Sequence, residues 1–330
     1  MGGPRDAVRV SATTRVGTRL GAIDVGTNTT RLLAVEVGSA ELAELERTLT
    51  FTRLGEGLDA SRRISPGAVE RTVAAIGRYV QRCRELDAER IRIAGTSAVR
   101  EAANRDELLR AVEAATGCAM EVLSGEKEAA LSFAGATQDL GVGRYLVCDI
   151  GGGSTELAAG RKPAGGPGAV SPEIEGRVSL PLGVVRLTER HLASDPPTPE
   201  ELASLEADVD RILEGVEGVH PDPASARLVG VAGTVTSLAA VRLGLEVYDP
   251  KAVHGSRLTS NDVEELYRKL AAMPLAERES LPPLPPGRAD VIVAGCAILS
   301  RVMARWSFRD VQVSEKDILD GLVLEMIGGT

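Results

Sequence analysis

The sequence lacks an excess of positive charge, and this limits the partners it can have. Its 330 residues carry 38 basic and 47 acidic side chains, which gives a formal net charge of −9. A protein that grips the nucleic acid backbone is normally basic, because it must offset the phosphate charge. We therefore expect no specific nucleic acid partner. Only five of the basic residues are lysine, so any polyanionic ligand must be met by local arginines and a metal cation.

Paired cysteines and long apolar runs are also missing. The four cysteines, at positions 83, 118, 148 and 296, show no CxxC spacing. Scattered cysteines among apolar neighbours are typical of buried free thiols in a reducing compartment. The sequence shows neither the apolar core of a secretion signal nor a run of membrane length. These features predict a cytoplasmic protein without a membrane partner.

Three common catalytic motifs are absent as well. The sequence contains no GxxxxGK[ST], GxSxG or HExxH motif. These patterns would mark a P-loop, the nucleophile of an α/β-hydrolase and a zinc protease helix. The three histidines, at positions 191, 220 and 254, lie in segments typical of loops or helix surfaces. The chemistry must come from another arrangement.

An internal repeat is the main feature that the sequence does contain. Residues 23–34 read IDVGTNTTRLLA and residues 148–159 read CDIGGGSTELAA. In each copy an aliphatic strand ends in Asp, a glycine-containing turn with small hydroxyl residues follows, and a second apolar strand begins. The tip of such a hairpin can direct backbone N–H groups at phosphate. We expect phosphate contacts at Gly26, Thr27 and Asn28 in the first tip and in the glycine run of the second.

A second pair of matching segments follows the first in the same order. IAGTSAV at 93–99 and VAGTVTS at 231–237 each place Ala-Gly-Thr at the end of an aliphatic strand, where a helical pattern begins. Glycine at such a point lets the backbone approach a ligand closely. Two repeated elements in one order predict two related halves with a shared site in the cleft between them.

Hydrophobic periodicity predicts the remaining elements. The first half is expected to contain an antiparallel meander of strands 19–25, 30–37 and 42–52, a helix from Ser65 to Leu86, strand 91–94, helix 98–115, a strand ending at Leu123 and a helix from Ser124 to Gln138. The second half is expected to contain strands 144–150, 154–160 and 173–181, helices beginning near 182 and 198, strand 226–232, helices 259–272 and 289–305, strand 310–314 and helix 315–327. Either Thr259 or Ser260 caps the helix over 259–272. Alternation of meanders and βα units predicts an α/β protein of two like domains.

The chain is too long for one ordinary hydrophobic core, so two domains are expected. Residues 1–18 show no sustained periodicity and are predicted to be a mobile leader. Domain I is predicted over 19–137 and is joined by the C-terminal helix 315–330, while domain II covers 138–314. The insert RKPAGGPGAVSP at 161–172 has the composition of a loop.

Four charged residues of the repeat are candidates for a metal and phosphate site. Asp24 and Asp149 end matching strands, and such a pair facing one cleft favours a divalent cation. The alternative is that each Asp caps its own turn. Arg31 and Glu156 hold equivalent positions with opposite charge, which would suit phosphate on one wall and Mg²⁺ on the other. Ordinary exposed strand positions are the alternative.

Two further groups could take part in the chemistry. Arg100 and Asn104 are four residues apart near the start of the predicted helix 98–115, so they would share one face. Arginine opposes the dipole at a helix start, which an anion bound there would explain; a solvated surface arginine is the alternative. Glu128 could be a general base for water, or it could stabilise the dipole of its helix. These arguments do not choose between Glu126 and Glu128.

Many motifs together resemble the Ppx/GppA exopolyphosphatase and guanosine pentaphosphate phosphohydrolase family. They are IDVGTNTTRLL, AGTSAVREAANRDEL, VLSGEKEAALSFAGA, DIGGGSTEL, LGVVRLTER, VAGTVTSLAAV, GRADVIVAGCAIL and VSEKDILDGLVLEM, and they span residues 19 to 327. The resemblance implies duplicated ribonuclease-H-like domains of the actin, sugar-kinase and Hsp70 superfamily. It also implies a phosphate-binding cleft, a divalent cation (Mg²⁺ or Mn²⁺) and a homodimer.

The resemblance also implies roles for individual residues. Glu128 would position and deprotonate the attacking water, and Asp149 and Glu156 would hold the cation. Phosphoryl oxygens would be bound by Gly26, Asn28, Arg31, Ser97, Arg100, Gly152, Gly153 and Ser154, with Gly233 and Thr234 lining the second domain's share of the cleft. The sequence departs from many relatives in placing Lys127 directly before this glutamate.

The resemblance predicts hydrolysis of the terminal phosphoanhydride of inorganic polyphosphate. Longer relatives carry additional C-terminal helical domains, so we expect short chains to be preferred here. One alternative is phosphohydrolysis of guanosine pentaphosphate (pppGpp), which would connect the protein to the stringent response. A nucleotide-binding regulator or kinase of the same fold is the other.

Overall fold

The structure is a computed structural model that describes residues 14–39, 41–163, 172–285 and 287–328. Residues 1–13 of the predicted leader and 164–171 of the predicted loop lie outside the described residues. The chain divides into two compact units. The first contains Met1–Gly143, Arg161–Glu173 and Ile318–Thr330, and the second contains Arg144–Gly160 and Ile174–Asp317.

The first unit is built on a five-stranded mixed sheet. Its strands are β1 (Arg19–Val25), β2 (Thr29–Val37), β3 (Leu42–Phe51), β4 (Arg90–Gly95) and β5 (Met120–Val122), in the order β3-β2-β1-β4-β5. β1, β2 and β3 pair antiparallel, which confirms the predicted meander. β4 runs parallel to β1 on one side and to β5 on the other. The carboxyl ends of β1 and β4 therefore meet at one edge of the sheet.

The first part of the first unit contains the helices α1 (Leu58–Ser61), α2 (Pro66–Glu85), α3 (Ser97–Glu101), α4 (Arg105–Thr116) and α5 (Gly125–Thr137). Two of these helices, α2 and α5, begin at serine caps that the sequence predicts. The Ser65 hydroxyl accepts a hydrogen bond from the Ala68 N–H group, and the Ser124 hydroxyl accepts one from Lys127. A serine side chain at this position satisfies an N–H group that has no partner within its helix. Both predicted helix starts are confirmed.

The prediction of a single helix over 98–115 is wrong. The chain leaves helical geometry at Ala102, and α4 starts afresh after Asn104. The Asn104 amide accepts from the Ile64 N–H group at 2.9 Å and donates to the Ile64 carbonyl at 3.0 Å. These two buried bonds hold the break. Arg100 therefore lies in the last turn of α3, so the argument that it opposes a helix dipole at 98–115 fails.

The second unit repeats the arrangement of strands. Its strands are β6 (Gly143–Ile150), β7 (Thr155–Lys162), β8 (Glu173–Leu180), β9 (Ala226–Val231), β10 (Arg257–Thr259) and β11 (Asp310–Val313), in the order β10-β11-β9-β6-β7-β8. When the second sheet is read from its β8 edge, its strand order β8-β7-β6-β9-β11 matches the order β3-β2-β1-β4-β5 of the first sheet. β9 is parallel to both β6 and β11, as β4 is to β1 and β5. The predicted duplicated α/β fold is confirmed.

The second unit contains seven helices among its described residues. They are α6 (Val184–His191), α7 (Pro199–Glu214), α8 (Ala232–Arg242), α9 (Pro250–Val253), α10 (Ser260–Ala272), α11 (Leu275–Glu279) and α12 (Ile292–Arg305). Thr259 forms a capping box with Asp262, so Thr259 is the cap of α10. β10, α9 and α11 were not predicted, because three to five residues are too few to show a period.

The last helix, α13 (Ile318–Gly328), belongs to the first unit and packs against α5. It begins three residues later than predicted, because the Ser314 hydroxyl and the backbone of Lys316 hold a turn before it. Gly321 makes the closest approach: a Cβ atom there would lie 2.1 Å from the Leu131 carbonyl oxygen of α5. Among the described residues no helix is both long and apolar enough to cross a membrane.

Replacing Gly321 with alanine should destabilise the first unit. The added methyl group would meet backbone atoms that cannot rotate away, and overpacking of this kind costs about 1–3 kcal/mol. Gly77 of α2 is the matched control, because a Cβ atom added there would have no neighbouring atom within 4 Å. Gly77→Ala should be neutral or stabilise by up to about 1 kcal/mol. Equal urea midpoints for the two variants would contradict the close contact.

Candidate active site

The first hairpin tip, residues 26–28, joins β1 to β2. The Gly26 N–H group donates to the Thr29 carbonyl at 2.9 Å and closes the turn. The Thr27 carbonyl accepts from the N–H group of Gly55, and the Asn28 carbonyl accepts from that of Arg53, both at 2.9 Å. The carbonyl oxygens of the tip are thus bound to the segment that follows β3.

Asp24 and Arg31 form an ion pair at this tip. They face each other across β1 and β2. Arg31 donates to the same Asp24 oxygen, Oδ2, from Nε at 3.0 Å and from Nη2 at 2.7 Å. Asp24 is buried and Arg31 is half-buried. Asp24 was expected to bind a metal and Arg31 to bind phosphate. Because the two side chains bind each other, a metal at Asp24 must compete with Arg31, and a phosphate at Arg31 must compete with Asp24.

The end of β4 brings α3 next to this tip. Asp24 pairs with Ala94 in the parallel register, and the Thr96 N–H group donates to the Val25 carbonyl at 3.1 Å. Ser97, the first residue of α3, is buried and donates its hydroxyl to Glu101 Oε1 at 3.1 Å. The two segments that the repeat singled out therefore lie side by side in this unit.

Glu128 is a buried carboxylate held by an arginine. It lies in the first turn of α5 and is 7% exposed. Arg100 donates from Nη1 to Glu128 Oε2 at 2.8 Å and to the Leu123 carbonyl at 3.0 Å. Glu126 is exposed. A carboxylate that orients water needs a fixed position, which favours Glu128 over Glu126 for this role.

The second tip, residues 151–154, joins β6 to β7 and has a similar backbone arrangement. The Gly151 N–H group donates to the Ser154 carbonyl at 2.9 Å. The carbonyls of Gly151 and Gly152 accept from the N–H groups of Val184 at 3.0 Å and Val185 at 2.9 Å, at the start of α6. No described residue accepts a hydrogen bond from the N–H group of Gly152. This face of the tip can receive an anion.

Arg186 completes the contact between α6 and this tip, and the sequence arguments missed it. Its Nε donates to the Gly153 carbonyl at 2.9 Å, and the residue is 7% exposed. The segment before it packs directly on the tip, since a Cβ atom at Gly183 would lie 2.2 Å from the Gly153 carbonyl carbon. The available signal was one arginine at a buried position of the apolar segment LGVVRL.

Two carboxylates flank the second tip. Asp149 ends β6 and Glu156 lies on β7, and both are buried. Glu156 Oε1 accepts from the Ser179 hydroxyl at 2.6 Å. Burial raises the pKa of the Cys148 thiol, and the negative charges of Asp149 and Glu156 raise it further.

These carboxylates fit a hard divalent cation. Mg²⁺ is commonly held by one or two carboxylates, with water and substrate phosphates as the other ligands. The donor set of Asp149 and Glu156 matches this preference. Among the described residues, no three or more His, Cys, Asp or Glu side chains are grouped as a metal site.

The second Ala-Gly-Thr segment opens α8 beside this tip. Asp149 pairs with Val231 in the parallel register of β6 and β9. Ala232 then has a φ of 65°, a left-handed conformation that is strained for alanine. Thr234 is buried against Gly295 of α12, since a Cβ atom at Gly295 would lie 2.4 Å from the Thr234 hydroxyl.

The side chain of Arg288 lies beside Gly233, at the start of α8. The sequence arguments predicted no role for it. A Cβ atom at Gly233 would lie 2.4 Å from the Arg288 guanidinium carbon, so this guanidinium packs directly on the glycine. Arg288 Nη1 donates to the Ser237 hydroxyl at 3.0 Å. Arg288 is the second residue of the motif GRADVIVAGCAIL, to which the resemblance assigned no role. Arg288 brings a cation to the two predicted residues Gly233 and Thr234.

Comparisons with known proteins agree on one family. The family model described as "Ppx/GppA phosphatase family" matches residues 33–329. The protein named Exopolyphosphatase 2 of Mycobacterium tuberculosis is 38% identical over 326 residues, which cover 94% of this chain and 99% of the relative. Exopolyphosphatase 1 of Mycobacterium leprae is 32% identical over 318 residues, which cover 94% of this chain and 89% of the relative.

Solved structures are also similar. A structure described as an exopolyphosphatase-like protein has a TM-score of 0.87 and 35% identity, with 94% of this chain and 98% of that chain covered. The Aquifex aeolicus member of the Ppx/GppA family has a TM-score of 0.78 and 28% identity, with coverage of 94% and 97%.

Arg186→Met should weaken phosphate binding without unfolding the protein. The variant leaves the Gly153 carbonyl without its partner, so the tip loses its fixed orientation. We expect KM for a phosphate substrate to rise about fivefold or more, as for the loss of one charged hydrogen bond. Arg186→Lys should recover part of the loss. Arg190→Met, which removes an exposed arginine from the same helix, is the control. An unchanged KM in Arg186→Met would contradict this role.

Proposed function

We propose that this chain, which belongs to the Ppx/GppA phosphatase family, is an exopolyphosphatase. It removes the terminal phosphoryl group of inorganic polyphosphate by hydrolysis and releases orthophosphate. The mycobacterial relatives are named exopolyphosphatases, which supports the substrate class. The observation that carries the mechanism is Glu128, a buried carboxylate held by Arg100 at 2.8 Å.

Glu128 acts as the general base. It accepts a proton from water as the water oxygen attacks the terminal phosphorus atom, and the bridging P–O bond breaks. The water oxygen leaves in orthophosphate, and the bridging oxygen leaves with the chain, which is one phosphate shorter. Arg100 keeps the carboxylate in one orientation, so little reorganisation is needed when the water binds.

Backbone N–H groups and arginines bind the phosphoryl oxygens. Thr27 and Asn28 contribute from the first tip, and Gly152, Gly153 and Ser154 from the second. Gly26 closes the first turn with its own N–H group and lets the backbone approach the phosphate closely. Ser97, Arg31, Gly233 and Thr234 add further predicted contacts, and the position of Arg288 beside Gly233 supports one more. Arg100, which was also predicted to bind phosphoryl oxygens, is assigned in this proposal to holding Glu128. Asp149 and Glu156 would hold Mg²⁺ or Mn²⁺, which offsets phosphate charge when bound. Asp24 would bind the cation only when its ion pair with Arg31 is broken.

Several finer features belong to the same proposal. The two units would correspond to domain I, residues 19–137 with helix 315–330, and domain II, residues 138–314. The protein would be a cytoplasmic homodimer that prefers short chains. Hydrolysis of pppGpp, with a link to the stringent response, and nucleotide binding by a regulator or kinase are the competing functions.

Orthophosphate release from four substrates should separate these functions. Tripolyphosphate, long-chain polyphosphate, pppGpp and ATP would be compared with Mg²⁺ present and again with a chelator. We expect the highest kcat/KM on polyphosphate, with the shorter chain favoured, and loss of release on chelation that Mg²⁺ or Mn²⁺ restores. A higher value on pppGpp would transfer the assignment to the guanosine substrate, and phosphoryl transfer from ATP to an acceptor would indicate a kinase.

Glu128→Gln should lower turnover by a factor of at least about 100, because general base catalysis contributes on that order. Glutamine keeps the size of the side chain but cannot accept the proton, so KM should change little. The exposed Glu126→Gln is the matched control two residues away and should keep wild-type turnover. Near-normal release by Glu128→Gln, or an equal loss in the control, would exclude Glu128 as the base.

A further inference from the structure

The ion pair at the candidate base joins two different elements of the first unit. Glu128 lies in the first turn of α5, whereas Arg100 lies in α3, which directly follows β4. The 2.8 Å contact between them therefore depends on how the start of α5 is held against β4. A displacement of about 1 Å at a catalytic group can lower a rate on the order of a hundredfold. Residues that tie α5 to β4 therefore bear on the reaction.

Glu325 of α13 ties these two elements together. Its Oε1 atom accepts a hydrogen bond from Nζ of Lys127, the residue directly before Glu128. Its Oε2 atom accepts from Nη1 of Arg92 on β4 at 2.5 Å. One carboxylate thus binds both α5, next to the candidate base, and the strand that leads to α3.

The surroundings keep the Glu325 carboxylate ionised and fixed. Burial raises its pKa, but hydrogen bonds from Lys127 and Arg92 outweigh burial, so the pKa lies below its usual value. The side chains of Glu325 and Arg92 are 22% and 21% exposed. Arg92 is held in turn by Glu121 of β5 at 2.9 Å. Several charges in one partly buried network hold a geometry that an isolated surface pair does not.

Asp320 makes a corresponding contact at the opposite end of α5. Its Oδ1 atom accepts from Nε2 of Gln138, the residue that ends α5, at 3.2 Å, and its Oδ2 atom accepts from Arg47 of β3 at 3.0 Å. α13 therefore binds α5 at both ends. Glu325 holds the end that carries Glu128, and Asp320 holds the opposite end. The two contacts separate general support of α5 from placement of its first turn.

We infer that Glu325 is a positioning residue for the general base: through Lys127 and Arg92 it fixes the first turn of α5 against β4 and so keeps Glu128 on Arg100. The inference rests on the proposed function, because that function assigns the base. Glu325 acts through Lys127 and takes no part in the proton transfer. Its effect therefore belongs to turnover and not to substrate binding.

Glu325→Gln keeps the size of the side chain and removes its charge, so both contacts weaken. We expect kcat on tripolyphosphate to fall about fivefold or more, with KM within about twofold of wild type, because substrate binding is untouched. Lys127→Met should show the same split, and Lys127→Arg, which keeps the cation, should retain most of the turnover. The double variant Lys127→Met/Glu325→Gln should lose little more than the larger single loss, because both changes break one contact.

Asp320→Asn is the matched control on the same helix. Asp320 is more deeply buried than Glu325, with side chains 9% and 22% exposed. The control should therefore lower the urea midpoint at least as much as Glu325→Gln while it leaves kcat unchanged. The midpoints also establish that each variant is folded. Unchanged kcat in Glu325→Gln would overturn the inference, and so would equal kcat losses in the two variants, which would indicate lost stability alone.

Hydrogen exchange separates failure of this inference from failure of the proposed function. If the wild type releases no orthophosphate from any polyphosphate, the proposed function fails. Amide exchange over residues 124–131 then tests, without any substrate, whether Glu325 holds the first turn of α5. Exchange at least about threefold faster in Glu325→Gln than in both the wild type and Asp320→Asn supports the positioning role. Equal rates in Glu325→Gln and the wild type overturn it.

Discussion

The candidate site depends on how the carbonyl oxygens of the two hairpin tips are bound. In each unit the segment after the third strand takes them: Arg53 and Gly55 in the first unit, and Val184 to Arg186 in the second. In a trans peptide the N–H group points away from the carbonyl oxygen of the same peptide group, so holding the carbonyl also fixes the direction of that N–H group. The fold thereby orients N–H donors of each tip in advance, and this preorganisation is what binding of a charged phosphoryl group requires.

The two tips differ in the charged residues beside them, and the structure changes the phosphate and metal roles expected of each tip. Arg31 and Glu156 hold equivalent positions, and from the sequence they suggested one tip for phosphate and another for metal. The structure pairs Arg31 with Asp24 at 2.7 Å, so the first tip is close to neutral. Glu156 accepts from a serine. Arg186 contributes one positive charge at the second tip against the two carboxylates of Asp149 and Glu156, and a bound cation would offset the remainder.

The features that the sequence predicts correctly are those that depend on residues within one short segment. Caps at Ser65 and Ser124 and the duplicated strand order follow from spacing within short segments, and all are confirmed. The break between α3 and α4 depends on the side chain of Asn104 meeting Ile64, forty residues earlier. The positions of Arg186 and Arg288 likewise depend on contacts with distant glycines. No periodicity within one segment reports such contacts, so these features required the structure.

Two arginines near the first tip are paired with carboxylates, which determines what each can contribute. Arg31 holds Asp24 and Arg100 holds Glu128, and both carboxylates are buried. Removing one partner of a buried pair leaves an uncompensated charge, which costs several kcal/mol. Arg100 is therefore better suited to fixing its carboxylate than to leaving it for phosphate. Arg62 and Glu101 form a longer pair, 3.6 Å apart, with side chains 64% and 26% exposed, so this pair separates at lower cost than the two buried ones.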